Sequence, residues 1–328
     1  LNSLTSKSSD SSESLTIKLL TLDQCKKAHN WQAIDFIKLD AEGEETKILK
    51  KATETLKECS PLIMFELKHG DKINHALIND FKSLRYNPYY LIPGLDILAP
   101  LDLSAPVDTY LLNLFCCKPD TATKLEKEGF LITTTDAIHG EELTPPADFF
   151  ATIPAFKGLG MRESKDKTYQ QALNSYINSR DETLSKKERY EHLLFAFDIT
   201  QKELKKGESK IERLSTYARI SLEIGQRKVG VQICDHVIHK YLQNLSSIQI
   251  SEPFIPVNQR FEFTDRKQLE SSWLLASFID EYIRKHSFSC YFSSAKIIPY
   301  FNAIRKLGFM HPDIKKREDT LLNIMNNK

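Results

Sequence analysis

The stretch that decides the fold reads Ile34-Asp35-Phe36-Ile37-Lys38-Leu39-Asp40-Ala41-Glu42-Gly43-Glu44-Glu45, an apolar strand followed by an acidic turn and the start of a helix. A second apolar strand follows at Pro61-Leu62-Ile63-Met64-Phe65-Glu66-Leu67. Each strand carries a carboxylate at or near its C-terminal end, Asp40 in the first and Glu66 in the second. Because ligands of open parallel α/β sheets bind outside the carboxyl ends of the strands, the two carboxylates stand where a small molecule would bind.

The composition excludes several classes of function. The chain has 328 residues, of which 41% are hydrophobic, and a net charge of +1; this length suggests about two domains of roughly 100–200 residues. Without a basic excess, neither nucleic acid nor an anionic membrane is an expected partner. No apolar run reaches the roughly 18 residues of a membrane span, and the Ser-rich N-terminus lacks a secretory signal.

Six cysteines without a CxxC pair favour reduced thiols in a cytoplasmic protein, with no metal site.

The order of apolar runs predicts an α/β fold followed by a mostly α-helical C-terminal domain. Residues 1–14 read as a flexible tail, 15–118 as the α/β domain, 119–166 as a linker with one short helix near Phe149, and 167–328 as the helical domain. The pattern within 15–118 predicts a strand over 15–20, helices over 44–58 and 71–86, and later strands over 89–92 and 110–116. Strands that alternate with helices through short connections favour right-handed βαβ units and a parallel sheet.

The C-terminal region contains one clear helical hairpin. Residues 211–224 and 229–242 form its two helices, which meet at Gly225, and the pair resembles a tetratricopeptide hairpin. No second copy follows at the period of about 34 residues, so no repeat array is predicted. The nearby segment Glu252-Pro253-Phe254-Ile255-Pro256, taken with Trp273, reads either as a docking surface or as a packed loop.

The acidic residues each have a structural and a functional interpretation. Asp40 either caps the helix that follows it or faces a ligand crevice lined also by Glu42. Glu66 lies in a strongly apolar run, where burying its charge is costly unless the carboxylate is paired or reaches solvent. Glu66 therefore either forms a structural ion pair or faces the crevice. Asp23 is either a helix N-cap or a ligand contact. The phosphate-loop, dinucleotide, zinc-hydrolase and serine-nucleophile motifs do not occur in the sequence.

Three ordered elements together resemble the FkbM-type methyltransferases over about residues 15–118. They are a Leu-Asp pair at Leu22-Asp23, a Lys-x-Asp-x-Glu-Gly-x-Glu block from Lys38 to Glu45, and a strand that ends in Glu66. The resemblance implies a partial Rossmann-like class I methyltransferase sheet and transfer of a methyl group from S-adenosylmethionine, typically to a hydroxyl oxygen. It also implies that Asp40, Glu42 and Glu66 line the catalytic crevice, with Asp23 and Lys38 on the substrate side.

In the family, a Gly-rich loop and an acidic strand end that bind the cofactor precede the region that starts here at Leu15. Only fourteen residues precede Leu15. We therefore expect the chain to be the C-terminal part of the catalytic domain, a fragment that binds S-adenosylmethionine poorly and is inactive alone, and the cofactor-binding residues stay unassigned. We also expect the strand over 34–40 to form an exposed apolar sheet edge, which invites pairing with another chain.

Two functional hypotheses follow. The first is a methyltransferase whose acceptor is a small molecule or a glycan hydroxyl and whose helical domain is an addition. The second is a non-catalytic protein-binding module, in which the helical domain recruits a protein partner and the methyltransferase half-domain is vestigial.

Overall fold

The computed structural model describes residues 18–41, 43–69, 72–73, 75–102, 107–135, 149–156, 163–207, 210–263 and 271–327. The chain forms two compact units. The first unit draws on residues 1–91, 97–107 and 111–134, and the second on residues 92–96, 108–110 and 135–328.

The first part of the chain contains seven strands and five helices within the described residues. The strands are β1 (Phe36–Leu39), β2 (Leu62–Glu66), β3 (Lys68–His69), β4 (Lys72–Ile73), β5 (Asn87–Ile92), β6 (Ile97–Pro100) and β7 (Asn113–Cys117). The helices are α1 (Leu22–Ala28), α2 (Glu45–Lys50), α3 (Thr53–Cys59), α4 (His75–Ser83) and α5 (Pro119–Lys127).

The main sheet has five strands in the order β1-β2-β7-β5-β6. β1 and β2 run parallel, whereas β7 runs antiparallel to both β2 and β5. The α/β class is confirmed, but the prediction of an all-parallel sheet is wrong. A parallel pair needs a crossover of a dozen or more residues. Only the four residues 93–96 separate β5 from β6, and the described chain between β6 and β7 contains no helix that could provide a crossover.

Several predicted elements have different bounds in the structure. The helix predicted over 44–58 is two helices, α2 and α3, because a carboxylate distant in sequence, Asp23, accepts the first backbone N–H groups of α3 and starts a new helix there. Of the helix predicted over 71–86, residues 72–73 form strand β4 and, among the described residues, only His75–Ser83 are helical, as α4. Of the strand predicted over 15–20, residues 18–20 are not in a strand and the remainder lies outside the described residues, as does the tail over 1–14.

The linker predicted to start at residue 119 instead begins with helix α5, which belongs to the first unit. Pro119 occupies the first turn of this helix. In that position the missing N–H costs no hydrogen bond and the fixed φ angle favours helix. The predicted short helix near Phe149 is present as α6 (Phe149–Thr152).

The main sheet has an apolar core on each face. Ile63, Phe65, Leu114 and Cys116 pack on one face with residues of α2, α3 and α4. On the other face Tyr89 and Cys117 pack with Ala122 of α5. The partly buried side chains of Leu62, Phe115 and Leu125 pack against this second core. Cys116 and Cys117 thus point to opposite faces, as adjacent residues of a strand do.

The burial of the cysteines predicts their reactivity. Cys116, Cys117 and Cys234 are buried, whereas Cys25, Cys59 and Cys290 are partly exposed. Burial raises the pKa of the Cys117 thiol to about 12, which removes the reactive thiolate at neutral pH. We expect iodoacetamide at pH 7.5 to modify the three partly exposed cysteines first. Peptide mass spectrometry checks this order, and urea should abolish it; early modification of Cys116 would contradict the buried strand.

The second unit is mainly helical. Its longer helices are α7 (Lys167–Ser179), α8 (Lys186–Lys205), α9 (Ile211–Glu223), α10 (Arg227–Tyr241), α11 (Ser271–Lys285), α12 (Ile298–Lys306) and α13 (Pro312–Asn326). α9 and α10 form the predicted hairpin, and Gly225 between them has φ 90°, a conformation that glycine adopts without strain. Across the described part of the chain, no helix combines the length and the apolarity that crossing a membrane requires.

An extended segment, residues 251–257, packs against α7 and α9; we call it the strap. Side chains of α9 bind its backbone: Thr216 Oγ1 accepts the N–H of Ile255 at 2.9 Å, and Ser215 donates to the carbonyl of Ile255 at 2.8 Å. The Tyr169 hydroxyl of α7 donates to the carbonyl of Pro253 at 2.9 Å. Phe254 is fully buried. Of the two interpretations of this segment, the structure shows the packed loop.

Candidate functional site

The parallel pair β1–β2 places the predicted acidic residues at one edge of the sheet. Leu39 pairs with Phe65, so Asp40 and Glu66 follow one another at the carboxyl ends of neighbouring strands. Lys38 lies on the same edge, and its Nζ is 2.8 Å from Asp40 Oδ2. The side chains of Lys38 and Asp40 are 55% and 33% exposed, so a small molecule in solution can reach both.

Three of the predicted residues, Lys38, Asp40 and Glu66, interact electrostatically at this edge. The hydrogen bond to Asp40 and the charge of its carboxylate raise the pKa of Lys38, and the charge of Glu66 adds to the effect. Glu66 is half-buried, and its register partner on β7 is Asn113. Asp40 and Glu66 therefore both act on the ammonium group of Lys38.

The turn after β1 is held by the last residue of the motif, Glu45, to which the sequence pattern assigned no role. The buried Glu45 carboxylate accepts the N–H of Ala41 at 3.0 Å and the N–H of Gly43 at 3.1 Å. The N-cap of α2 is Glu44, without a side-chain cap bond. The interpretation of Asp40 as the cap of this helix is therefore wrong, and its carboxylate stays at the open edge. Gly43 has φ 100°, which explains the glycine in the motif.

Two of the predicted site residues are not seen at this edge. Asp23 bonds to α3 instead: its carboxylate accepts the N–H of Thr55 at 2.8 Å and that of Glu54 at 3.3 Å. Burial raises the pKa of Asp23, but these hydrogen bonds outweigh it and the net pKa is below the ordinary value. Thr21, not Asp23, caps α1. Glu42 lies outside the described residues. The substrate-side role of Asp23 stays a prediction, now beside a defined structural role.

The Glu45 contacts lead to a stability prediction. We expect Glu45→Ala to lower the free energy of unfolding of the first unit by about 1.5–3 kcal/mol, since two backbone N–H groups lose a charged acceptor. Amide hydrogen exchange at Ala41 and Gly43, together with urea unfolding, measures the effect. Glu44→Ala is the matched control, because its salt bridge to Lys47 is at the surface and is worth at most about 1 kcal/mol. Equal losses from the two variants would contradict the role given to Glu45.

The arrangement suits a polar, uncharged or cationic group. Asp40 and Glu66 can accept hydrogen bonds from hydroxyl groups, and Lys38 can donate one to an oxygen. Within the described residues, no group of three metal-ligating side chains is present; the predicted absence of a metal stays a prediction. A cavity of about 490 Å³ in the first unit lies at β5 and β6, where Lys82, Tyr89 and Asp102 line it, and it does not include the predicted site residues.

Comparisons with known proteins bear on the first unit. Residues 1–87 match the family model of the methyltransferase FkbM domain. The match starts ahead of Leu15 and ends short of residue 118, so its bounds differ from those of the resemblance seen in the sequence. It includes β1, β2 and the predicted site residues. No curated protein and no solved structure matches the chain.

Proposed function

We propose, from the premise that residues 1–87 belong to the FkbM methyltransferase domain family, that this protein is an S-adenosylmethionine-dependent methyltransferase. The acceptor we propose is a hydroxyl oxygen of a sugar or another small molecule. The observation that carries the proposal is the open edge of the β1–β2 pair, where Lys38, Asp40 and Glu66 meet inside the matched segment.

The residues at the edge fit the groups that this reaction brings together. S-adenosylmethionine supplies an activated methyl group on a sulfonium cation, and an edge with two carboxylates favours a nearby positive charge. Lys38 holds Asp40 at the exposed end of β1. There the Asp40 carboxylate can take the proton of an acceptor hydroxyl whose oxygen lies within about 2.6–3.2 Å of it. Lys38 can donate to a neighbouring acceptor oxygen. Half-buried Glu66 can orient a second hydroxyl group, so that the nucleophile faces the methyl donor.

The test is methyl transfer by the full-length protein from S-adenosylmethionine with a labelled methyl group to a panel of sugars and small alcohols. We expect label in at least one hydroxyl acceptor and none in matched acceptors whose hydroxyl is already methylated. S-adenosylmethionine should bind the full-length protein in titration calorimetry. Absence of both binding and transfer would overturn the proposal.

The second proposal, a protein-binding module, has one structural observation in its favour. Among the described strands, β1 ends the sheet, and Phe36 on this edge strand is 51% exposed. An apolar edge strand is a template for pairing with another chain. If the protein is a binding module, Phe36→Lys abolishes the complex with the partner, and neither the unaltered protein nor the variant transfers a methyl group. If the protein is an enzyme, the unaltered protein forms labelled product. Formation of that product therefore decides between the two proposals.

A further inference from the structure

The second unit contains a cavity of about 740 Å³ that none of the site residues above lines. It lies where the C-terminal ends of α7, α9 and α11 meet the end of the strap and the turn that follows it. Its volume falls within the range of about 300–1,000 Å³ that is usual for small-molecule sites. Unlike most such sites, its lining is rich in arginine.

Two of these arginines share one buried carboxylate. Arg180, the C-cap residue of α7, bonds to Glu262 with both terminal nitrogens, at 2.8 and 2.9 Å. Arg219 of α9 lies with Nη2 3.3 Å from the same carboxylate and also pairs with Glu223. This side of the cavity is therefore rigid and close to neutral, because two guanidinium groups face two carboxylates.

The other side has the same arrangement around a second buried carboxylate. Arg260 and Arg284 both pair with Asp280, whose side chain is fully buried. Arg284 also lies 3.7 Å from Asp313, which is largely exposed, and in the field of the Glu281 carboxylate. Lys285 lines the cavity beside them, and no carboxylate lies within salt-bridge distance of its ammonium group in the described part of the chain.

One N–H group of Arg260 has no hydrogen-bond acceptor among the described residues. This group is the buried Nε–H. Burial lowers the pKa of Arg260; the charge of Asp280 opposes this effect, but the net pKa stays below the ordinary value. An unmade hydrogen bond of a buried polar group costs about 1–3 kcal/mol, so an acceptor that approaches this guanidinium would be stabilised.

The remaining acidic residues limit the type of ligand. Asp96 and Glu182 line the cavity with Glu281. Glu281 is buried and accepts a hydrogen bond from Asn258 at 2.7 Å, and burial raises its pKa. The lining thus offers cationic donors at Arg260, Arg284 and Lys285 and, beside them, carboxylates at Asp96, Glu182 and Glu281. A purely anionic molecule would fit only one end, whereas a polar molecule with one oxyanion group and hydroxyl or amine groups would fit both.

We propose that this cavity binds a small polar molecule through an oxyanion, a phosphate ester or a carboxylate, that Arg260, Arg284 and Lys285 hold. Guanidinium groups present paired N–H donors that match both oxyanions. The positions of Arg260 and Arg284 are fixed by Asp280 before a ligand arrives, which lowers the entropy cost of binding. This site is independent of the proposed methyl transfer.

The test is titration calorimetry of the full chain, at low ionic strength, with glycerol 3-phosphate and separately with gluconate, each of which has one oxyanion group and several hydroxyl groups. We expect saturable binding of at least one probe, and the tighter of the two identifies the oxyanion as phosphate or carboxylate. Lys285→Gln and Arg260→Gln should each weaken that binding about tenfold or more, as loss of a charge-assisted hydrogen bond does. Arg305→Gln is the control, because Arg305 also pairs with a buried carboxylate, Glu318, but does not line the cavity.

Folding is checked by circular dichroism for each variant. Lys285→Gln breaks no salt bridge of the described residues, so it decides the result even if Arg260→Gln does not fold. The proposal is overturned if neither probe binds the folded chain, or if Lys285→Gln and Arg305→Gln bind the probes equally well. In that case the arginines serve only to join the helix ends.

Discussion

Replacing Asp40 with asparagine should lower kcat for methyl transfer by about 10²–10⁴-fold, the range that a positioned general base contributes. The prediction rests on the proposed function. Asp40 lies at the exposed end of β1, its carboxylate is fixed by Lys38 at 2.8 Å, and the turn behind it is closed by Glu45 rather than by Asp40 itself. Asparagine keeps the shape of the side chain but cannot accept a proton, so KM should change little.

The matched control is Asp35→Asn. Asp35 immediately precedes the same strand and is exposed, but it stands at the opposite end of β1. Steady-state rates with an acceptor found in the labelled panel measure both variants. We expect Asp35→Asn to retain normal kcat, and Glu66→Gln to raise KM more than it lowers kcat. Full activity in Asp40→Asn would remove Asp40 from the chemistry and leave it as the partner of Lys38.

Replacing Arg213 with methionine should lower the free energy of unfolding of the second unit by about 3–5 kcal/mol, the usual cost of breaking a buried ion pair. Arg213 Nε lies 2.7 Å from Glu252 Oε1 of the strap, and Nη1 lies 2.8 Å from Asp166 Oδ2. The side chains of Arg213 and Glu252 are 7% and 9% exposed. Methionine fills part of the space but leaves the Glu252 charge buried beside Ser164 and Lys210 alone.

Urea unfolding followed by the fluorescence of buried Trp273 measures this loss. Lys206→Met is the matched control, because Lys206 is 70% exposed in its pair with Glu203 and such a surface pair contributes about 1 kcal/mol or less. Equal shifts of the urea midpoint in the two variants would show that the Arg213 network adds nothing beyond a surface pair.

The same network gives the second unit an acid-sensitive stability. Burial raises the pKa values of Glu252 and Asp166. Arg213 at Glu252, and the Tyr169 N–H together with Arg213 at Asp166, outweigh it, so both net pKa values are lowered. Groups with lowered pKa values stabilise the folded state above their ordinary pKa values, and this contribution is lost as the pH falls through the lowered ones. We expect the melting temperature to fall between about pH 5 and pH 2, and to fall less in Arg213→Met.

The sequence predicted what depends on local pattern. The apolar runs at 36–39 and 62–66 are strands, their pairing is parallel, and Asp40 with Glu66 ends them at one edge. The hairpin over 211–242 followed in the same way from its apolar spacing. These features need only the period of hydrophobic residues and the position of polar ones.

The features that were missed depend on contacts between distant residues. Spacing does not show that Glu45 rather than Asp40 bonds to the turn, since both are acidic and both are near it. The cap that Asp23 provides to α3 joins residues 32 apart. The antiparallel direction of β7 depends on the path of the connections, which hydrophobic periodicity does not reveal.

The strap changes how the helical unit should come apart. In a linear array of helical hairpins each repeat contacts only its neighbours, so the terminal repeats fray first and independently. Here one extended segment is bonded to Tyr169 of α7 and Thr216 of α9, and its Phe254 ring lies 6.2 Å from the ring of Trp273 in α11. We therefore expect these three helices to exchange their amide hydrogens as one cooperative group, so that loss of the strap contact at any one of them loosens the other two.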